Sequence, residues 1–541
     1  MKLIKKALSV LLCVVIVLSG TSILSFARPE SEDKKMPLIF ISGFTGNSLY
    51  CDGEHVFPPS FDGITKEQGV RLVKSLLRGF LSRNYSDLVK TAGEELSELL
   101  DEFKKSAVNP DGTQDYNTDA RKRPANRSYG FAFGTAERKI EDALGYYNTF
   151  DFVYDWRDSL VDVADDLDKF IDDVLRLTGA ENVAIFGYSL GGQVAATYLR
   201  FYGSLGKVGK VVFVNSPLLG TKSDAATLDR DQLDVSISSA LRLASFLNGE
   251  RYPFEWLTEK VGIRFLNRAI GAILDAYVVP VALYWGSVWD MLPLEDYEPM
   301  KKQYLDEKEQ KWLIEKSDKL HYEVMAKMPE IIDSALKQGI SLSSITCTDC
   351  GIATARKVNG DCIVSAHGSS GANCTDNGKH FSANYKQLNT TCADPSHSHI
   401  SPDRMIDASS ALLPENSWYI IGEGHCQYDE DDYAVALLEK LMTGDSLKDV
   451  HTDPAFPQFR YGSSYINQVG VRFGDREMGY VGTGDDKITL ENFDCEYRKS
   501  DDINVKYVKI RNGLLTRRIN INSLLKPGET KTINIRKLFK M

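Results

Sequence analysis

The chain has 541 residues, 43% of them hydrophobic, and carries 64 Lys+Arg against 75 Asp+Glu. That length and apolar content are enough for a large buried core and more than one domain. The net charge of −11 excludes nucleic acid as the expected partner, which would call for a basic surface.

At the N-terminus, Lys2, Lys5 and Lys6 precede the apolar run Ala7 to Leu18, and Ser25-Phe26-Ala27 has the small-x-small pattern of a signal-peptidase site. Residues 1–27 are therefore expected to be a signal peptide and the protein to be secreted or extracellular. An uncleaved anchor is the rival reading, because apolar character continues through Ile23 and Leu24. Without that segment the net charge is −14, distributed unevenly: residues 496–541 carry +8 and residues 28–495 carry −22. Eight cysteines remain (Cys51, Cys347, Cys350, Cys362, Cys374, Cys392, Cys426 and Cys495), an even number that in an exported chain predicts disulfides.

The first expected strand is Pro37 to Ile41, followed by the loop Ser42-Gly43-Phe44-Thr45-Gly46-Asn47. Residues 60–108 repeat leucines at helical spacing, as an amphipathic cap element would. Asp115 to Asp119 imitates the start of a calcium loop, but Ala120 replaces the required glycine, so a polar loop is expected. A strand at Phe150 to Tyr154 leads to a crossover helix marked by Leu160, Val163, Leu167, Phe170, Ile171 and Val174. The strand Asn182 to Phe186 runs directly into Gly187-Tyr188-Ser189-Leu190-Gly191 and a small-residue helix start. Strand, helix, strand implies parallel pairing and a doubly wound sheet.

Further strands are expected at Lys210 to Val214 and Ile340 to Ile345, separated by a helical insertion over 222–336. Its stretch Ala269 to Leu294 is apolar and aromatic but broken by Asp275 and Pro280, which argues against a spanning helix and for a lid. Trp285 and Trp289 are its candidate substrate-binding residues, with packing onto the sheet as the plain alternative. A cysteine-rich insertion over 347–399 holds so many Gly, Ser, Asn and Asp residues that cross-links are expected to hold it together. A zinc reading of Cys347-x-x-Cys350 with nearby histidines ranks below disulfides, because the later spacings are irregular. From about 450 the pattern becomes alternating strands, with Asn512-Gly513 as a hairpin turn. Residues 450–541 are expected to form a small antiparallel β domain, separate from a main domain at 28–445, whose basic charge draws it to an anionic membrane or cell wall.

The chemistry centres on Ser189. A sharp strand-to-helix turn needs residues without bulk beside the serine and lifts its hydroxyl clear as a nucleophile. A serine hydroxyl requires a base, usually histidine, oriented by a carboxylate. Of the eight histidines, His425 fits best, since it follows the strand Ser417 to Ile421 and precedes the helix Asp432 to Met442. His451 reads as a surface residue, and His367, His380, His397 and His399 as mostly solvated, with a metal site the lesser alternative. Asp403 is the expected acid, because Ser401 to Ser409 is similar to the D-G-x-V-P-x-x-S stretch that carries it in many hydrolases; Asp407 is the fallback. Main-chain N–H groups of Phe44 and Leu190 are the expected oxyanion donors. No cofactor is required by this chemistry.

These residues, with Tyr154-Asp155-Trp156-Arg157 and Asn215-Ser216-Pro217-Leu218-Leu219-Gly220-Thr221, resemble the lecithin:cholesterol acyltransferase-like branch of the α/β-hydrolases over about Met36 to Met442. Tyr188 stands where relatives often have histidine. The resemblance implies an α/β-hydrolase fold and a secreted serine hydrolase or O-acyltransferase acting on lipid acyl esters. An esterase or amidase for a soluble or cell-wall substrate, and a non-catalytic surface-binding protein, are the alternatives.

Overall fold

The computed structural model describes residues 36–58, 66–122, 135–236, 263–395, 397–462, 479–482, 487–491, 503–512, 515–526 and 529–534. The expected signal segment, Cys495 and part of the 222–336 insertion lie outside them.

Seven parallel strands form the centre. They are β1 (Leu38–Ile41), β2 (Thr149–Phe152), β3 (Val183–Tyr188), β4 (Val208–Val214), β5 (Ser341–Thr348), β6 (Ser417–Ile421) and β7 (Phe459–Tyr461), ordered β7-β6-β5-β4-β3-β1-β2. Every neighbouring pair among them is parallel. Such a sheet is covered on both faces, and alternate residues of each strand show it. Ile39, Ile41, Ile185, Val211 and Phe213 join one buried cluster with α1 (Leu160–Thr178) and α2 (Leu190–Tyr202). Leu38, Phe40, Phe186, Val212 and Trp418 join the other, with helix Thr135–Leu144 and α3 (Asp432–Thr443). The crossover helix α1 starts where Ser159 Oγ accepts from the Val161 amide and stops at left-handed Gly179.

The C-terminal part departs from expectation. The strand at 459–461 belongs to the central sheet, and β8 (Gly479–Gly482), β9 (Lys487–Glu491) and β12 (Thr530–Asn534) extend its edge by antiparallel pairing. Among the described residues of this part, β10 (Ile503–Asn512) and β11 (Leu515–Leu525) alone form a separate hairpin, with Asn512 paired to Leu515. Strand alternation reads the same whether a strand starts a new sheet or lengthens an old one. The basic side chains invoked for surface attraction lie outside the description, apart from Lys526. Among the described residues no helix is long and apolar enough to cross a membrane.

The expected disulfides are absent from the described residues: Cys51, Cys347, Cys350, Cys362, Cys374, Cys392 and Cys426 are all free thiols. The stretch 347–399 is ordered by hydrogen bonds instead, among them Cys350 N to Gly360 O at 2.8 Å and Ala366 N to Asn359 O at 2.9 Å.

Candidate active site

Ser189 sits at the β3–α2 turn with φ 53°, a left-handed conformation that costs a non-glycine residue on the order of 1–3 kcal/mol and persists only where packing imposes it. The packing is tight here. A Cβ at Gly191 would lie 2.1 Å from Ile41 O, and one at Gly187 would lie 2.5 Å from the Gly192 Cα. The flanking glycines are therefore required by close backbone approach as well as by the turn.

His425 lies on the loop after β6 and is buried. Its Nδ1 is 2.7 Å from Asp361 Oδ2, and the two side chains are 4% and 1% exposed. A carboxylate oxygen accepts, so Nδ1 donates and Nε2 is left as the proton-accepting nitrogen. Asp361 is itself held by the Ile363 and Val364 amides, which donate to its Oδ1 at 3.0 and 2.7 Å. The His425 main chain is fixed from several sides: its N–H donates to Asp361 O, and its carbonyl accepts from Asn215 Nδ2 at 2.9 Å and Tyr188 Oη at 3.1 Å. Tyr188 thus supports the histidine loop from within the Ser189 turn, and burial raises its pKa well above the ordinary value. Cys426 is a buried thiol whose Sγ lies 3.2 Å from Tyr188 Oη and whose pKa burial pushes up to about 12.

The expected partnership of Asp403 with His425 is corrected. Asp403 accepts from Ser401 Oγ and, at 3.1 Å, from the Met405 amide, and burial raises its pKa. The fallback Asp407 accepts from Tyr385 Oη and the Leu388 amide at 2.8 and 2.7 Å. Both belong to the lobe around the short strand pair Asn373–Cys374 and Ile406–Asp407. Asp361 instead lies on the loop that leaves β5, the strand beside β6. A signal for it was present: Asp361-Cys362-Ile363-Val364 keeps the aspartate and valine of D-G-x-V, with cysteine in the glycine position. Cys362 has φ 87°, the conformation for which that glycine is suited.

The loop after β1 lies directly on the serine. A Cβ at Gly43 would be 3.1 Å from Ser189 Oγ, and Phe44 follows it on the cavity wall. The Leu190 amide belongs to the first turn of α2, where N–H groups lack intrahelical acceptors. The Tyr-Asp-Trp-Arg stretch buttresses this loop. Tyr154 Oη donates to Ser42 O at 2.6 Å, and Trp156 Nε1 donates to Asn47 O at 2.8 Å. Asp155 and Arg157 form a buried bidentate pair at 2.9 and 2.6 Å, and Arg157 also donates to Ser106 O and Thr118 O.

Ser189, His425 and Phe44 face one cavity of about 220 Å³, walled by Phe57, Phe103, Leu274, Val278, Leu283, Trp285, Met291 and Val364. The 222–336 segment supplies much of this wall. Trp285 lines it while donating from Nε1 to Ser106 O at 2.8 Å and packing edge-on to Trp156. Trp289 does not line it: its ring is fully buried and its Nε1 donates to Leu283 O at 2.7 Å. With Trp285 itself only 3% exposed, neither ring offers an external landing surface.

Asp224 is the acidic group on this wall, and desolvation pushes its pKa up to about 7. A folded pKa above the unfolded value means that stability present at low pH is lost as pH rises toward 7. Asp224→Asn removes that loss. Its melting temperature should exceed the parent's by a margin that grows between pH 5 and pH 8; a margin independent of pH would show the carboxyl to be well solvated.

A family model for the alpha/beta hydrolase fold matches residues 122–248. Among solved structures the chain is similar to one titled "The crystal structure of Tle4-Tli4 complex", with 12% identity, coverage of 75% of this chain and 98% of that chain, and a TM-score of 0.33. No curated protein matches the chain. The family match spans α1 and the Ser189 turn at the centre of the parallel sheet, and the chain has the α/β-hydrolase fold.

Proposed function

We propose that the protein is an exported serine hydrolase or O-acyltransferase acting on lipid acyl esters, of the lecithin:cholesterol acyltransferase-like kind. Ser189 Oγ attacks the ester carbonyl while His425 Nε2 takes its proton. Asp361 holds the imidazole and balances its charge, and the Phe44 and Leu190 amides stabilise the oxyanion. His425 then protonates the leaving alkoxide, giving an acyl-enzyme that water or an alcohol resolves. The observation carrying this reading is the buried His425–Asp361 pair, whose imidazole shares a cavity with the strained Ser189. The apolar wall of that cavity supports an acyl chain as the group bound there.

The test is a series of esters of rising acyl length, followed by product analysis on phospholipid with and without an added alcohol. Each buried methylene is worth up to about 0.8 kcal/mol, so kcat/KM should rise up to about fourfold per methylene until the cavity is filled. Hydrolysis that is fastest for acetyl esters and falls with length would point to a soluble substrate and sink the lipid reading.

A further inference from the structure

Three residues unused by the triad meet, Cys392, His399 and Glu415 just before β6, and His451 after α3 stands beside Cys392. Cys392 Sγ, a ring nitrogen of His399 and a carboxylate oxygen of Glu415 lie within 4.8 Å of one another. Cys392 Sγ is 3.5 Å from His451 Nε2. Zinc bonds of about 2.3 Å to sulfur and about 2.0 Å to nitrogen, set at the tetrahedral angle, hold those two atoms about 3.5 Å apart. The pair already stands at the separation a shared ion would impose.

The surrounding hydrogen bonds identify the nitrogen left for a metal. Gln458 Nε2 donates to Pro414 O at 2.7 Å and Ser417 O at 3.2 Å, which turns its Oε1 toward the histidines. An amide oxygen accepts, so His399 donates to it from Nδ1 at 2.8 Å and His397 from Nε2 at 3.0 Å. His399 Nε2 therefore carries a lone pair, yet the residue is 0% exposed and this nitrogen has no hydrogen-bond partner among the described residues. A buried acceptor left unmade costs about 1–3 kcal/mol, a loss that a metal bond removes. Ligating histidines characteristically donate their other N–H to an acceptor in this way. On the opposite side, Glu415 Oε1 is steadied by the Ala393 amide at 2.7 Å.

We infer that Cys392, His399, Glu415 and His451 form a structural zinc site. A thiolate with imidazoles and one carboxylate suits zinc rather than magnesium or calcium. Cys392, His399 and Glu415 supply three ligands, and a turn of the His451 ring beside Cys392 would supply the fourth and close the site, so the ion acts as a cross-link and not in the ester chemistry. It would tie the cysteine-rich lobe to the start of β6 and the exit of α3, the restraint that disulfides were expected to give.

The experiment uses the full chain. Elemental analysis after passage over a chelating resin should find one zinc per chain. Cobalt substitution should give the intense visible bands of tetrahedral coordination and a thiolate charge-transfer band that Cys392→Ser removes. Gln458→Leu, which leaves all four ligands in place, should weaken cobalt binding by about 10- to 100-fold. In the unmodified protein, zinc should slow alkylation of Cys392 and a chelator should restore it, a readout that needs no variant to fold. Absence of stoichiometric metal overturns the inference, and so does a charge-transfer band that survives in Cys392→Ser or an alkylation rate of Cys392 indifferent to zinc.

Discussion

Ser189→Ala and His425→Ala should each lower ester hydrolysis by about 10⁶-fold while leaving the melting temperature close to the parent's. The two act as a unit, so the loss of either removes nearly all the benefit of both, and the double variant should be no worse than either single one. What survives is catalysis by the Phe44 and Leu190 amides and by binding alone, worth about 10³- to 10⁴-fold over water. Steady-state rates on a soluble short ester, with melting curves for each variant, check this. Near-normal turnover in His425→Ala would remove the mechanism, because the other histidines with described contacts are engaged elsewhere. His321, for example, is fully buried, bridges Ser317 O and Leu292 O, and is stacked on Tyr297.

Asp361→Asn should reduce kcat by about 10⁴-fold, and Asp403→Asn should have little effect on rate. The asparagine is nearly isosteric, but it can offer its amide N–H₂ to His425 Nδ1, which favours the tautomer that puts the proton on Nε2 and blocks it as a base. KM for a short ester should change little, since Asp361 acts through His425. Asp403, accepting from Ser401 and Met405, can influence the stability of its lobe, so its variant is judged by melting temperature as well as by rate. If Asp403→Asn abolishes turnover and Asp361→Asn does not, the acid belongs to Asp403 and the 2.7 Å contact of Asp361 with His425 is only structural.

The strand-to-helix turn at Ser189 was legible because its requirements are local. Gly187 and Gly191 are dictated by backbone contacts within and beside the turn, and β-branched runs on either side announce buried parallel strands. The place of His425 was legible for a related reason, since it lies between a strand and a helix, on the loop that leaves the C-terminal end of β6. The partner of His425 was not: Asp403 was read from the similarity of its stretch to a motif, whereas the contact is made by Asp361, on the long excursion between Thr348 and Ser417. Cys362 and Arg404 both have positive φ, so local backbone form does not distinguish them; only the pairing of β5 with β6 does. The cysteines misled in the same way. Cys392 meets Glu415 and His451 across distant stretches of chain, and no spacing rule anticipates side chains brought together by tertiary folding.

Whether the site is assembled for nucleophilic chemistry is tested most directly by labelling the full chain with a fluorophosphonate and mapping the adduct by mass spectrometry. Such a reagent modifies a serine only where a base activates it and oxyanion donors receive the phosphonyl oxygen. The account predicts one adduct per chain, on Ser189, and its loss in His425→Ala. No adduct on the folded protein, or an adduct on Ser189 that forms equally fast without His425, would contradict it.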